Sequence, residues 1–189
     1  MTAQAYIGID PDTKNTPVAV YIPTRERVLV RMFRHPHGKG QKSIGYMAGA
    51  AGDAAIWAMG AADGHGISSG VFVVEGQEIY RNSHAPPSNI LSLATVAGFW
   101  AGSMLAASGV DDWSLLIPRP AEWKGQVPKA IHQARIAASL GWPYEKRAGY
   151  VAPDVPKSAG LVVVGGFNGS DWKHAMDAVG LAVWGSTRG

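Results

Sequence analysis

The chain contains no cysteine among its 189 residues. Disulfide bonds and thiolate metal ligands are therefore excluded. No apolar run approaches the roughly 20 residues needed to cross a bilayer. The opening Met1-Thr-Ala-Gln has neither the charged start nor the long apolar stretch of a signal peptide, so the expectation is a soluble protein of a cytoplasm with no membrane partner. Apolar residues are not scarce, at 47% of the chain. That excludes a disordered chain, and the length suits one domain, 1–189, with a proper core.

What is present is an unusual placement of acidic groups. Asp10 ends the apolar run Ala5-Tyr-Ile-Gly-Ile, Glu75 ends the run Val71-Phe-Val-Val, and His174 and Asp177 sit three apart in a C-terminal helical pattern. A carboxylate at the end of a buried strand is costly unless it meets a cation or hydrogen-bond donors. Spacing of three puts His174 and Asp177 on one helix face. Two strand ends and a helix offering two more ligands point to a metal site. Oxygen ligands suit Mg²⁺, and the imidazole admits Mn²⁺ as a substitute. Taken singly, each residue has a plainer use: Asp10 before Pro11 suits a turn, Glu75 an edge ion pair, His174 a packing role. Asp12 and Asp171 read as a turn residue and a helix cap.

The net charge is only +3, but it is clustered. Arg25, Arg27, Arg31, Arg34, Lys39 and Lys42 face only Glu26; Arg119, Lys124, Lys129, Arg135, Lys146 and Arg147 face Glu122 and Glu145. Basic groups around an acidic centre suit a polyanion steered by the rim, and solvated faces of ordinary elements are the alternative.

Periodicity predicts strands over 5–10, 18–22 and 28–33 in a meander, a helix over 43–62, a fourth strand over 71–75, a helix over about 89–107, and a fifth strand over 113–117. A helix follows over 128–140, with Pro128 at its first turn. Ser170 or Asp171 is expected to cap a last helix running to about Trp184. The Pro- and Gly-rich stretch 143–169, with the apolar run Leu161 to Val164, is expected to be a small hairpin or flap inserted in the domain. The helix over 89–107 is apolar nearly all round, which predicts burial on two sides. One side would be the sheet. The other would be a partner subunit, with Leu91 and Trp100 on the outward face, or the chain's own 143–169 segment.

Four segments carry a family resemblance: Ile7-Gly-Ile-Asp10-Pro, Val73-Val-Glu75, Pro120-Ala-Glu-Trp-Lys124-Gly-Gln-Val-Pro-Lys129, and His174-Ala-Met-Asp177-Ala-Val-Gly-Leu-Ala. In this order, over nearly the whole chain, they resemble the RNase H-like nuclease superfamily and within it the RuvC-type Holliday-junction resolvases. The resemblance implies an α/β fold with a five-stranded mixed sheet, three antiparallel strands and then parallel ones, flanked by helices. It implies that Asp10, Glu75, His174 and Asp177 are catalytic and hold two Mg²⁺ about 4 Å apart across the scissile phosphate. It also implies a homodimer that nicks two opposing strands of a four-way DNA junction symmetrically, in a bacterial or phage-infected cell.

Lys124 and Lys129 match family lysines that contact the DNA backbone or the active-site phosphate. The family usually has an aromatic residue three after the glutamate; here Glu78 stands at that position and Tyr80 two further on. Tyr80 either stacks on an opened base, with Arg81 on a phosphate, or packs on the sheet rim. Cleavage of other branched DNA or of RNA–DNA hybrids is the rival within the superfamily. A non-catalytic junction-binding protein would be expected to have lost acidic ligands, and all four are here. Gly8-Ile-Asp10 with Thr13 and Thr16 also resembles the first phosphate loop of actin-like ATPases, whose second glycine-rich loop is missing.

Overall fold

Ala5–Ile9 forms the central strand β1, and all five of its residues are buried. A strand covered on both faces reads as a continuous apolar run rather than an alternating one. The computed structural model describes residues 3–12, 14–34, 44–76, 87–108 and 112–188. β1 pairs antiparallel with β2 (Asn15–Ile22), which pairs antiparallel with β3 (Arg27–Arg34). On its other side β1 runs parallel to β4 (Gly70–Val74), and β4 parallel to β5 (Trp113–Leu116).

The expected five strands are six among the described residues, in the order β5-β4-β1-β2-β3-β8. The addition is β8, Leu161–Val164, the apolar run inside the inserted stretch, which lies parallel to β3 from Val28↔Leu161 onward. It covers a backbone edge that would otherwise lie open. Gly160 makes the entry possible. Its φ is +73°, and a Cβ there would stand 2.0 Å from the Glu26 carbonyl oxygen. Only glycine meets both demands. The rest of the insertion is the expected hairpin, β6 (Tyr144–Arg147) against β7 (Tyr150–Pro153).

Alternation along β1 divides the core. Ile7 and Ile9 face one side, where they pack with α1 (Ile44–Asp63) and α2 (Pro87–Ser108); Tyr6 faces the other, packed under α5 (Trp172–Ser186). Alanines 51, 54, 55, 58 and 62 are all fully buried, so small side chains set how closely α1 seats. Met176 and Leu181 of α5 are also fully buried, each contributing roughly 1.5–3 kcal/mol relative to exposure. Two short helices, α3 (Pro120–Trp123) and α4 (Lys129–Ser139), lie on the α5 side. Among the described residues no helix is long and apolar enough to cross a membrane.

Two expectations need correction. Trp100 does not face outward: it is fully buried, edge-on to Phe33 at 6.3 Å between ring centroids. The outward face of α2 is instead a groove of about 500 Å³ lined by Thr95, Gly98, Phe99, Gly102, Ser103 and Ala106. The inserted stretch does not cover it, since β7 packs on α4 and α5, on the other side of the sheet. The second correction concerns the α5 cap. Asp171 stands at the N-cap position but makes no side-chain bond to the helix. Its carboxylate accepts from Asn168 N at 2.9 Å and from Arg34 Nη2 at 2.7 Å, tying the end of β3 to the start of α5.

Candidate active site

Register alone brings two of the acidic residues together. Ile9 is paired with Val74, and Glu75 N donates to the Ile9 carbonyl at 3.0 Å, so Asp10 and Glu75 leave neighbouring parallel strands at the same sheet end. Both are buried, at 7% and 6% exposure. α5 crosses this end and brings the other two. His174 Nδ1 lies 3.1 Å from Asp10 Oδ2, and Asp177, 2% exposed, is within range of the Asp10 charge. All four expected residues therefore gather at this end of the sheet.

Lysines close the cluster. Lys124, just after α3, puts Nζ 2.7 Å from Glu75 Oε1, and Lys129, opening α4, puts Nζ 2.6 Å from Asp177 Oδ2. The structure also adds two residues that the sequence reading did not single out. Trp123 Nε1 donates to Glu75 Oε1 at 3.1 Å, and Gln133 Nε2 donates to Asp177 Oδ1 at 2.8 Å. For Gln133 a signal existed, since it follows Lys129 by four and shares its helix face. Trp123 carried none beyond its position next to Lys124. His132 stacks edge-on against Trp123 at 4.9 Å, and burial, with the charges of Lys124 and Arg135, pushes its pKa down to about 4.

Other expected contacts lie elsewhere. Arg119 pairs with Glu122 and Arg147 with Glu145, exposed ion pairs of little energetic weight. Arg34 is engaged at Asp171, and Arg31 lies over the Phe33 ring. Tyr80 and Arg81, like Lys39 and Lys42, fall outside the described residues.

Three buried carboxylates at one point cannot all ionise freely. Burial acts to raise the Asp10 pKa, but the hydrogen bond and charge of His174, then the charge of Lys129, outweigh it and hold the group below its ordinary value. Burial and then the Asp10 charge raise Glu75 to about 7, with Lys124 offsetting part of this. The same two causes raise Asp177 against the pull of Lys129. The Lys124 pKa is itself raised, because Glu75 outweighs the effect of burial. Lysine thus stays charged, and it is Glu75 that holds a proton below about pH 7 and shares it with Asp10. The His174 pKa is raised chiefly by its hydrogen bond to Asp10.

These residues fit a divalent cation. The donors are carboxylate oxygens and one imidazole, the set that suits Mg²⁺ or Mn²⁺. A proton held by Glu75 near neutrality is one that a cation would displace. Among the described residues no three such side chains are disposed to hold one ion, because the carboxylates are turned to Lys124, Lys129 and His174 instead.

A pH test follows from Glu75. Its folded pKa of about 7 lies above the ordinary 4.5, so its protonated form contributes stability that is full below pH 4.5 and lost as pH rises through 7. His132 acts in the opposite sense, its contribution being lost as pH falls from 6.5 through about 4. Comparing wild type with Glu75→Gln cancels the histidine. In chelator, the melting temperature of wild type is expected to fall more steeply than that of the variant between pH 4.5 and 7. Equal slopes would remove the protonated Glu75.

No protein-family model matches the chain, and no curated protein sequence matches it. Solved structures do. A RuvC from Thermus thermophilus in complex with a Holliday junction substrate aligns at TM-score 0.55 and 15% identity, covering 98% of this chain and 96% of that one. The human cytomegalovirus terminase nuclease domain aligns at TM-score 0.49 and 15% identity, over 99% of this chain and 83% of that one. A second structure of Thermus thermophilus RuvC aligns at TM-score 0.47 and 14% identity, over 96% and 92%. The first of these, taken with the antiparallel-then-parallel sheet and its flanking helices, shows that the chain has the RNase H-like fold.

Proposed function

We propose that the chain is a metal-dependent, structure-specific endodeoxyribonuclease that resolves four-way DNA junctions by paired symmetric nicks. The observation that carries this reading is the meeting of Asp10, Glu75, His174 and Asp177 at one sheet end, on a fold shared with a resolvase solved on its junction. Two bound Mg²⁺, or Mn²⁺ in their place, would supply Lewis-acid stabilisation of the phosphate and acidify a water. Asp10 is the anchor, ionised and central, with His174 fixing its orientation from α5. Lys124 and Lys129 are partly exposed, at 24% and 29%, so each faces a carboxylate on one side and incoming phosphate on the other. With the carboxylates holding cations, the ammonium groups of Lys124 and Lys129 would be free to hold the DNA backbone. Tyr80 and Arg81 remain the proposed contacts to the junction centre.

A two-fold junction calls for a two-fold protein. The groove along the outward face of α2 is the proposed subunit interface, with Phe99 the one aromatic among the described residues of its lining. Phe99→Glu would place two like charges near the axis out of water. The expected product is a folded monomer that nicks junctions singly. Light scattering of wild type at micromolar concentration checks the premise: a mass near the 19.9 kDa of one chain, with and without junction, would count against the dimer.

The deciding experiment incubates the purified protein and Mg²⁺ with a four-way junction, a flap, a linear duplex and an RNA–DNA hybrid. Symmetric nicks in the junction alone are expected. Cutting of the flap or hybrid in preference would assign the same site to a different branched or hybrid substrate.

A further inference from the structure

Gln133 is fully buried in α4, and every polar atom of its side chain is engaged. Nε2 donates to Asp177 Oδ1 at 2.8 Å and to the Lys173 carbonyl at 3.0 Å, while Oε1 accepts from Val151 N at 3.0 Å. Two acceptors on one side and one N–H donor on the other allow a single orientation of the amide. One turn earlier, Lys129 takes the other oxygen of the same carboxylate. α4 therefore grips Asp177 at both oxygens, neutralising one and orienting the other.

The third bond leads away from the site. Val151 lies in β7, opposite Lys146 of β6, and all four β6 residues are exposed. One buried side chain thus joins the backbone of the inserted hairpin to the carboxylate of the candidate metal centre. An apolar residue of equal volume would fill the same space. It could not hold both ends.

We infer that Gln133 is a positioning residue for the reaction: it orients the Asp177 carboxylate and makes that orientation depend on the docked β6–β7 hairpin. The inference rests on the nuclease reading above and deepens it by assigning the hairpin a part in ordering the site. Hydrogen-bonded partners of metal ligands typically affect metal affinity or activity about 10- to 100-fold.

Two variants test it. Gln133→Met removes all three bonds at nearly constant volume. Gln133→Glu keeps an acceptor for Val151 N–H; ionised, it loses the donors and sets a second negative charge against Asp177, and protonated it regains one O–H donor. Three quantities are read: Mn²⁺ affinity by calorimetry, kcat and KM on a four-way junction, and hydrogen exchange at the Val151 amide. In Gln133→Met the Val151 amide is expected to exchange faster, with Mn²⁺ affinity and kcat each reduced about 10- to 100-fold and the KM for DNA unchanged. In Gln133→Glu the amide stays protected while kcat still falls. Wild-type Mn²⁺ affinity and kcat in Gln133→Met, with only the Val151 exchange altered, would reduce Gln133 to a packing link and overturn the inference. If Gln133→Met does not fold, Gln133→Glu decides through the pH dependence of kcat: a rate that falls relative to wild type as the carboxyl ionises, with the hairpin protected, upholds the inference, and a rate equal to wild type at every pH overturns it. A wild-type protein that binds no Mn²⁺ and cuts no junction fails at the nuclease reading itself, whereas losses or their lack confined to the variants bear on Gln133 alone.

Discussion

Asp10→Asn and Glu75→Gln are each expected to abolish phosphodiester cleavage while leaving junction binding intact or tighter. Asp10 is the group through which the others are coupled. It bonds His174, shares the Glu75 proton, and raises the pKa of both Glu75 and Asp177. An amide there cannot neutralise a cation, and a fall of roughly 10³-fold or more in rate corresponds to about 4 kcal/mol of lost transition-state stabilisation. Binding moves the other way for Asp10→Asn, because one negative charge near the phosphates is gone, and for Glu75→Gln above about pH 7, where Glu75 is ionised. Neither change threatens the fold. A glutamine at position 75 still offers an oxygen to Trp123 Nε1 and Lys124 Nζ, the two donors that Glu75 satisfies now. Single-turnover nicking and filter binding on the same four-way junction separate the two effects, and wild-type nicking by either variant would remove the proposed metal centre. His174→Asp should be milder, since a carboxylate can serve the same Mg²⁺.

Gly8→Ala is expected to be the most damaging single methyl group that can be added near the site. A Cβ on Gly8 would stand 2.0 Å from the Ala178 carbonyl oxygen and 2.5 Å from Ala182 N. Both are backbone atoms of α5, so no side chain can rotate away to make room. The helix itself must lift by roughly 1 Å or more, in an interior packed too densely to absorb it. Overpacking of this kind costs about 3 kcal/mol or more, a fall of roughly 6–12 °C in melting temperature for a chain of this size. Because α5 carries His174 and Asp177 while β1 leads to Asp10, the same shift opens the site. A displacement near 1 Å can cost about 10²-fold in rate. Gly49→Ala is the control: nothing lies within 4 Å of its Cβ, and alanine there favours the helix by up to ~1 kcal/mol. Calorimetry on the two variants should show opposite signs, and a Gly8→Ala protein melting with wild type would mean that α5 does not sit on β1 as described.

Much of this was legible in the sequence because it is local. The apolar runs ending at Ile9 and Val74 are strands whichever neighbours they find, and a carboxylate following each is visible without knowing the pairing. The three-residue spacing of His174 and Asp177 is likewise a property of one helix. The strands and helices and their order could therefore be read from the chain alone, while the parallel part of the sheet was implied by the family resemblance.

What the sequence by itself could not decide depends on contacts between distant segments. Leu161–Val164 is an apolar run of the length of any short strand, and only the free edge of β3 makes it the sixth strand of the main sheet. A helix apolar on every side has no stripe to mark its inward face, so the burial of Trp100 and the outward position of Phe99 follow from packing against Phe33 and the sheet, not from periodicity. The motif around Gly8 gives no reason for the glycine itself until Ala178, 170 positions later, is laid against it. Gln133 and Trp123 acquire roles only when α3 and α4 are brought to the end of β4 and the face of α5. The protonation of the cluster is the most remote of these from the sequence, because it is set by distances among Asp10, Glu75, Asp177 and two lysines, and charge interactions exist only once those distances do.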